Sequence, residues 1–152
     1  MIADPQILRG YWKRESESAT YLVNGFFKTG DIGYIDERGY VFVIDRLKDM
    51  IIASGYNVYP ANVQKAVFGH PSVAEAIVIG VAGDYRSETI KAFETLKSGH
   101  ELTLEDLQGF LKDRLSPMEM PKQLEIRDQL PKTAVGKLSR LDLKREIGIA
   151  RA

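Results

Sequence analysis

The chain has 152 residues, 44% hydrophobic and 28% charged, a composition typical of a folded globular protein. Its 21 basic residues balance its 21 acidic residues, so the overall charge does not favour nucleic acid or an anionic membrane as a partner. The absence of cysteine excludes disulfides and thiolate chemistry. Met1–Pro5 lacks the features of a secretory signal, and no apolar stretch approaches the ~20 residues of a membrane span. We therefore expect a cytoplasmic protein with no membrane span.

The first third of the chain is rich in residues that favour β-strands. Gly10–Ser16 is polar and aromatic with no preceding element to pack on, so we expect the chain to begin within a larger structure. Strand signals follow at Asp31–Tyr34 and Tyr40–Ile44. Asp36–Gly39 between them has the acidic and glycine residues of a tight turn, which predicts a hairpin.

A charged segment, Asp45–Asp49, interrupts the apolar pattern and is a candidate domain boundary. Beyond it, Met50–Ala53 and Tyr56–Tyr59 flank Ser54-Gly55, which predicts a second hairpin.

Helical signals appear from Pro60, which suits a first helical position. Val73–Val81 is apolar enough for a central strand, and Thr89–Leu96 alternates like a strand with one solvated face. Thr103 caps a helix whose leucines continue to Leu115.

The C-terminal part predicts a short edge strand at Leu124–Ile126 and a last helix that Ser139 and Asp142 cap. Strands and helices in this order predict an α+β fold. We expect a small mixed domain, in which helices flank a short, mainly antiparallel sheet, after a β-hairpin strip.

Gly136-Lys137 invites comparison with a phosphate-binding loop, and the comparison fails. Pro131 stands where that motif needs glycine, and Leu138 stands where it needs Ser or Thr. A lysine in a loop is usually only solvated, so spacing alone favours a surface role for Lys137.

Asp31 follows a glycine, and its carboxylate can accept the two hydroxyl protons of a ribose diol. The same residue fits a turn carboxylate equally well. His70 and His100 lie outside any cluster of ligands, so the sequence predicts no metal site.

Taken in order, five motifs resemble the C-terminal motifs of the adenylate-forming enzyme family, and within it those of medium- and long-chain fatty acyl-CoA ligases. The motifs are Gly25–Asp31, Asp45–Ile51, Gly55–Pro60, His70–Val73 and Leu130–Lys137.

The resemblance implies a reaction in which ATP activates a carboxylate as an acyl-adenylate before the acyl group passes to coenzyme A. It implies that residues 1–45 end a large N-terminal AMP-binding domain and that residues 46–152 form the C-terminal lid. ATP or AMP, a fatty acid and coenzyme A are the implied partners, with Mg²⁺ bound through the missing domain. We therefore expect a fragment of an acid–thiol ligase that is inactive alone.

The resemblance also assigns roles to individual residues. Lys137 matches the catalytic lysine of adenylation. Asp31 and Arg46 match positions that bind the nucleotide ribose. The implied hinge residues are Asp45 and Lys48, and those of the coenzyme A tunnel are Ser54, Gly55 and Tyr56.

Two alternatives remain open from the sequence. One is a non-catalytic docking module or pseudoenzyme, in which Lys137 and the basic C-terminal residues meet an acidic partner. The other is an aryl- or luciferase-like adenylating enzyme. The acyl pocket, which would identify the acid that is activated, lies outside this chain.

Overall fold

The structure is a computed structural model that describes residues 1–83 and 88–149. The chain forms two compact units, Met1–Lys48 and Asp49–Ala152. The division falls within the charged segment 45–49, in a short 3₁₀ helix, Leu47–Asp49.

The first unit contains one helix and two small antiparallel sheets. Its elements are α1 (Glu15–Tyr21), β1 (Leu22–Val23), β2 (Phe26–Phe27), β3 (Asp31–Ile35) and β4 (Val41–Arg46). β1 pairs with β2, and β3 pairs with β4. The hairpin predicted around Asp36–Gly39 is confirmed, whereas α1 was not predicted.

The β3–β4 turn is closed by Asp36. Its carboxylate Oδ1 accepts hydrogen bonds from the main-chain amides of Arg38 and Tyr40, at 3.0 and 2.9 Å. This local side-chain bonding is what makes aspartate a frequent turn residue. The register shifts between Ile32 and Gly33, and beyond that irregularity Asp31 pairs with Arg46.

The second unit is a mixed sheet with helices, so the predicted α+β fold is confirmed. Its elements are β5 (Ile51–Ala53), β6 (Tyr56–Val58), α2 (Pro60–Phe68), β7 (Val73–Ala82), β8 (Glu88–Leu96), α3 (Leu104–Leu111), β9 (Gln123–Ile126) and α4 (Arg140–Glu146). The strand order is β6-β5-β8-β7, and β9 pairs with β8. The β5–β6 and β7–β8 pairs are antiparallel, and β8 is parallel to both β5 and β9.

The predicted places of β7 and β8 in the sheet were wrong. β7 was expected to be central and lies at the end of the strand order, whereas β8 lies inside the sheet and pairs with β5, β7 and β9. The alternation in β8 misled because Phe93 and Thr95, on the face expected to be solvated, are buried, and Phe93 packs in the smaller cluster with Leu130 and Leu143. β7 is apolar on both faces because side chains pack against it from both sides of the sheet.

Two buried clusters occupy the two faces of this sheet. The larger includes Val63 and Val67 of α2 and Leu107 and Leu111 of α3. The smaller joins Ile77, Ile79 and Phe93 of the sheet to Leu130 and Leu143 of the C-terminal part. The smaller cluster is the one that anchors the segment containing Lys137.

The predicted helix caps are present. Thr103 and Asp106 form a reciprocal capping box at the start of α3, and Ser139 Oγ accepts a hydrogen bond from the amide of Asp142 at the start of α4. α3 ends at Leu111, earlier than the leucine pattern to Leu115 predicted. Across residues 1–83 and 88–149, no helix is long and apolar enough to cross a membrane.

Candidate functional site

Lys137 lies in a closed loop, Lys132–Leu138, here called the Lys137 loop. Lys132 and Leu138 form an antiparallel bridge at its base. The amide of Thr133 donates to the carbonyl of Lys137 at 2.7 Å, and the amide of Gly136 donates to the carbonyl of Thr133 at 2.8 Å. Gly136 has φ +78°, a conformation that glycine adopts without strain, so this residue allows the chain to turn back just before Lys137.

The base of the Lys137 loop is fixed to the second unit on both sides. Before it, Leu130 is buried in the smaller core cluster. After it, the amide of Ser139 donates to the carbonyl of Pro131 at 2.9 Å, and Ser139 caps α4. Hydrogen bonding from Ser139 also lowers the pKa of the Asp142 carboxyl.

The ammonium group of Lys137 is exposed, and no salt bridge engages it among residues 1–83 and 88–149. Its basic neighbours do have partners: Lys132 Nζ lies 2.6 Å from Glu75 Oε1, Lys144 pairs with Asp49, and Arg145 pairs with Asp142. The site therefore presents one unpaired cation on a loop of defined geometry, which can bind an anionic group.

Asp31 and Arg46 come together at the open end of the β3–β4 hairpin. They are Cα partners in the register, and Arg46 Nε lies 3.6 Å from Asp31 Oδ1. The carboxylate of Asp31 is one-third exposed, at 33%. It retains acceptor capacity for hydroxyl groups of a ligand, with a guanidinium beside it.

The residues predicted to form a hinge, Asp45 and Lys48, both lie at the end of the first unit, just before the division. Asp45, in β4, is buried, and its Oδ1 accepts a hydrogen bond from the amide of Arg46 at 2.8 Å. Lys48 lies in the 3₁₀ helix and is exposed.

Ser54 and Gly55 form the turn of the β5–β6 hairpin. Their φ angles are +50° and +84°, the pair of positive values that a two-residue type I′ turn requires. A Cβ at Gly55 would meet no atom within 4 Å, so the backbone conformation, not crowding within this chain, is what requires glycine here. Tyr56 follows and is 59% exposed.

Glu94 is a buried acid that the sequence reading missed. It is fully buried on β8, and neither carboxylate oxygen has a hydrogen-bond partner among the described residues. Burial raises its pKa to about 7. Ala92 and Leu96, two residues away on each side, belong to or pack on the larger cluster, so the side chain of Glu94 lies on the same face as α2 and α3.

Across residues 1–83 and 88–149, no three His, Asp or Glu side chains come close enough together to hold a metal ion.

The fold and the Lys137 loop together define a known class of domain. The family described as AMP-binding enzyme C-terminal domain matches residues 62–137, half of the chain and ending on Lys137 itself. The chain belongs to this family.

Its relatives are ligases of carboxylic acids. The chain is 46% identical to the long-chain-fatty-acid–CoA ligase of Bacillus subtilis, in a match that covers 96% of this chain and 26% of the relative. It is 40% identical to the 2-succinylbenzoate–CoA ligase of Geobacillus kaustophilus, covering 97% of this chain and 30% of that protein.

A solved structure shares the same fold. ATP-bound MatB from Rhodopseudomonas palustris matches with a TM-score of 0.87 and 33% identity, over 95% of this chain and 29% of that one. The chain thus spans between a quarter and a third of the length of these proteins.

Proposed function

We propose that this chain is the C-terminal portion of an ATP-dependent fatty acyl-CoA ligase, which converts a fatty acid, ATP and coenzyme A into acyl-CoA, AMP and pyrophosphate. The family match supports an adenylate-forming enzyme. Two relatives named for long-chain fatty acids, at 46% and 40% identity, support the fatty acid as substrate class.

The observation that carries this proposal is the unpaired ammonium of Lys137 on a well-defined loop. In the first half-reaction a carboxylate oxygen attacks the α-phosphorus of ATP, and the bond from that phosphorus to the pyrophosphate oxygen breaks. Lys137 would contact the carboxylate and the α-phosphate while negative charge shifts between them. A preorganised cation of this kind is worth roughly 3 kcal/mol of transition-state stabilisation.

Asp31 and Arg46 are the proposed nucleotide-binding residues. The partly exposed Asp31 carboxylate would accept hydrogen bonds from the two ribose hydroxyls, and Arg46 would support the same ribose. Hydrogen bonds to a charged acceptor are among the stronger ones, at about 1.5–3 kcal/mol each.

The remaining assignments concern the second half-reaction. We propose that residues 1–45 end the large domain and 46–152 form the lid, which rotates about Asp45 and Lys48 between the half-reactions. Ser54, Gly55 and Tyr56 would then line the path of coenzyme A. Mg²⁺ would be held outside this chain, and the cysteine-free composition fits a cytoplasmic location.

The contacts of the basic C-terminal residues argue against the docking alternative. Lys132, Lys144 and Arg145 already pair with acids of the same unit, so among these residues and Lys137 only Lys137 offers an unpaired charge to an acidic partner. An aryl acid is the second candidate substrate, because a feruloyl-CoA synthase from Amycolatopsis is 37% identical to this chain. Turnover with aryl acids and none with fatty acids would move the proposal to that class.

The test separates the two half-reactions in the full-length ligase. We expect Lys137→Ala to lower acid-dependent ATP–pyrophosphate exchange by about 100-fold or more, while thioester formation from supplied acyl-adenylate continues. Lys122→Ala, at another exposed loop lysine, is the control and should leave both rates unchanged. Equal loss of both half-reactions in Lys137→Ala would show that Lys137 has only a structural role.

The chain alone should not release pyrophosphate from ATP with any fatty acid. Turnover by the purified 152-residue chain would contradict the assignment as one part of a larger active site.

A further inference from the structure

Thr133 contacts Lys137 from both its main chain and its side chain. Its amide donates to the carbonyl of Lys137 at 2.7 Å, and its Oγ1 accepts a hydrogen bond from the amide of Lys137 at 3.2 Å. Its own carbonyl accepts from the amide of Gly136 at 2.8 Å. Three hydrogen bonds thus join Thr133 to Gly136 and Lys137 and restrain the backbone at the lysine.

The rest of the loop tip lacks such a restraint. Ala134 and Val135 are exposed, with Val135 at 78%. The buried Leu130 and the capping residue Ser139 hold only the base of the loop. In the part of the chain that the structure describes, Oγ1 of Thr133 is the side-chain atom that bonds the backbone of Lys137.

We propose that Thr133 is a positioning residue for Lys137, whose hydroxyl fixes the direction in which the lysine leaves the loop. This inference rests on the adenylation role proposed for Lys137. The lysine has a flexible four-carbon side chain, so the direction of its Cα–Cβ bond decides which region the ammonium can reach. A misplacement of about 1 Å at a reacting centre can cost about 100-fold in rate.

Threonine suits this role better than serine for a physical reason. Its β-branched side chain has few χ1 rotamers, so Oγ1 is held towards the amide at a small entropic cost. Serine keeps the acceptor with more rotational freedom, and valine keeps the shape without the acceptor. The series Thr, Ser, Val at position 133 therefore separates the hydrogen bond from the packing.

The first experiment measures the bond in the 152-residue chain, independently of activity. We expect Thr133→Val to speed amide hydrogen exchange at Lys137 by about tenfold, the size of one lost hydrogen bond, while Thr133→Ser keeps most of the protection. Thr103→Val is the matched control, because it removes a similar hydroxyl acceptor at the start of α3 and should leave the exchange of the Lys137 amide unchanged.

The second experiment measures the half-reactions in the full-length ligase. We expect Thr133→Val to lower the kcat of adenylation by about 10- to 100-fold with little change in the KM for ATP, and to spare thioester formation from acyl-adenylate. Thr133→Ser should restore most of the rate. Thr103→Val should lower thermal stability to a similar degree and leave adenylation unchanged, which separates positioning from general destabilisation.

The outcomes distinguish this inference from the function on which it rests. If Lys137→Ala abolishes adenylation but Thr133→Val does not slow it, the positioning role is overturned and the proposed function stands. If Lys137→Ala leaves adenylation intact, the proposed function fails, and the positioning role fails with it even where exchange confirms the hydrogen bond. Failure of Thr133→Ser to restore the rate would also overturn the role of the hydroxyl.

Discussion

Asp31 and Arg46 face each other across the β3–β4 hairpin, with Arg46 Nε 3.6 Å from Asp31 Oδ1. The pair is partly exposed, with 33% and 60% of the two side chains accessible. A pair this exposed contributes at most about 1 kcal/mol to folding.

The first prediction therefore separates binding from stability. Arg46→Gln and Asp31→Asn should each weaken nucleotide binding by the full-length ligase by about tenfold or more, while the melting temperature of the chain changes little. Arg38→Gln breaks another exposed Asp–Arg pair of the same unit, and should affect neither property. Calorimetric titration with AMP checks the prediction, and equal affinities in all three variants would contradict it.

The second prediction concerns Lys48 in the 3₁₀ helix between the two units. Proline at this position fixes φ and also restricts Leu47, so Lys48→Pro should impair one half-reaction and spare the other. Lys48→Ala keeps the backbone free and should behave like the unsubstituted enzyme. Single-turnover measurements of adenylation and of thioester formation test this, and unchanged rates in Lys48→Pro would remove the hinge assignment.

The third prediction uses two glycines with the same backbone requirement. Gly55 and Gly99 have φ +84° and +76°, and a Cβ at either would meet only open space. Alanine at each should destabilise the chain by about 1 kcal/mol through backbone strain. Only Gly55→Ala should also slow thioester formation in the full-length ligase. Equal thioester rates in the two variants would argue that the β5–β6 turn has no role in the coenzyme A path.

The fourth prediction follows from the pKa of Glu94, which burial raises to about 7 from an ordinary value of 4.5. Between these pH values the unfolded chain loses the proton while the folded chain keeps it. The free energy of unfolding should therefore fall as pH rises from about 4.5 to about 7, by at most about 3 kcal/mol, and level off above.

Urea denaturation of the chain at pH 5, 6, 7 and 8 measures this dependence. Glu94→Gln removes the titrating group and should abolish that part of the pH dependence. Glu101→Gln, at an exposed acid, is the control and should retain the full slope. An identical slope in Glu94→Gln would place the titration on another residue.

Local signals predicted much of the fold. Pro60 begins α2, Thr103 and Ser139 cap their helices, and the Ser54-Gly55 turn joins β5 to β6. In each case a few neighbouring residues determine the conformation, through a fixed φ, a side-chain acceptor or a positive φ. Such features need no information from the rest of the chain.

The order of strands and the burial of Glu94 could not be predicted in the same way. Both depend on which distant segments pack together, and alternation in Thr89–Leu96 looks the same whether its polar positions meet solvent or helices. For the site, Lys137 was found through its motif, whereas the bond from its amide to Thr133 required coordinates. Spacing shows that two residues are near each other along the chain, but not which atoms bond.

The position of β8 has a consequence for the order in which the second unit folds. Its neighbours come from both directions along the chain: β5 and β7 precede it, and β9 follows it. A ribosome must therefore deliver Ile126 before β8 has all its partners, whereas each hairpin forms from residues close together in the chain. Lys137 emerges later still, so the loop that holds it closes onto a sheet whose strands have all been synthesised.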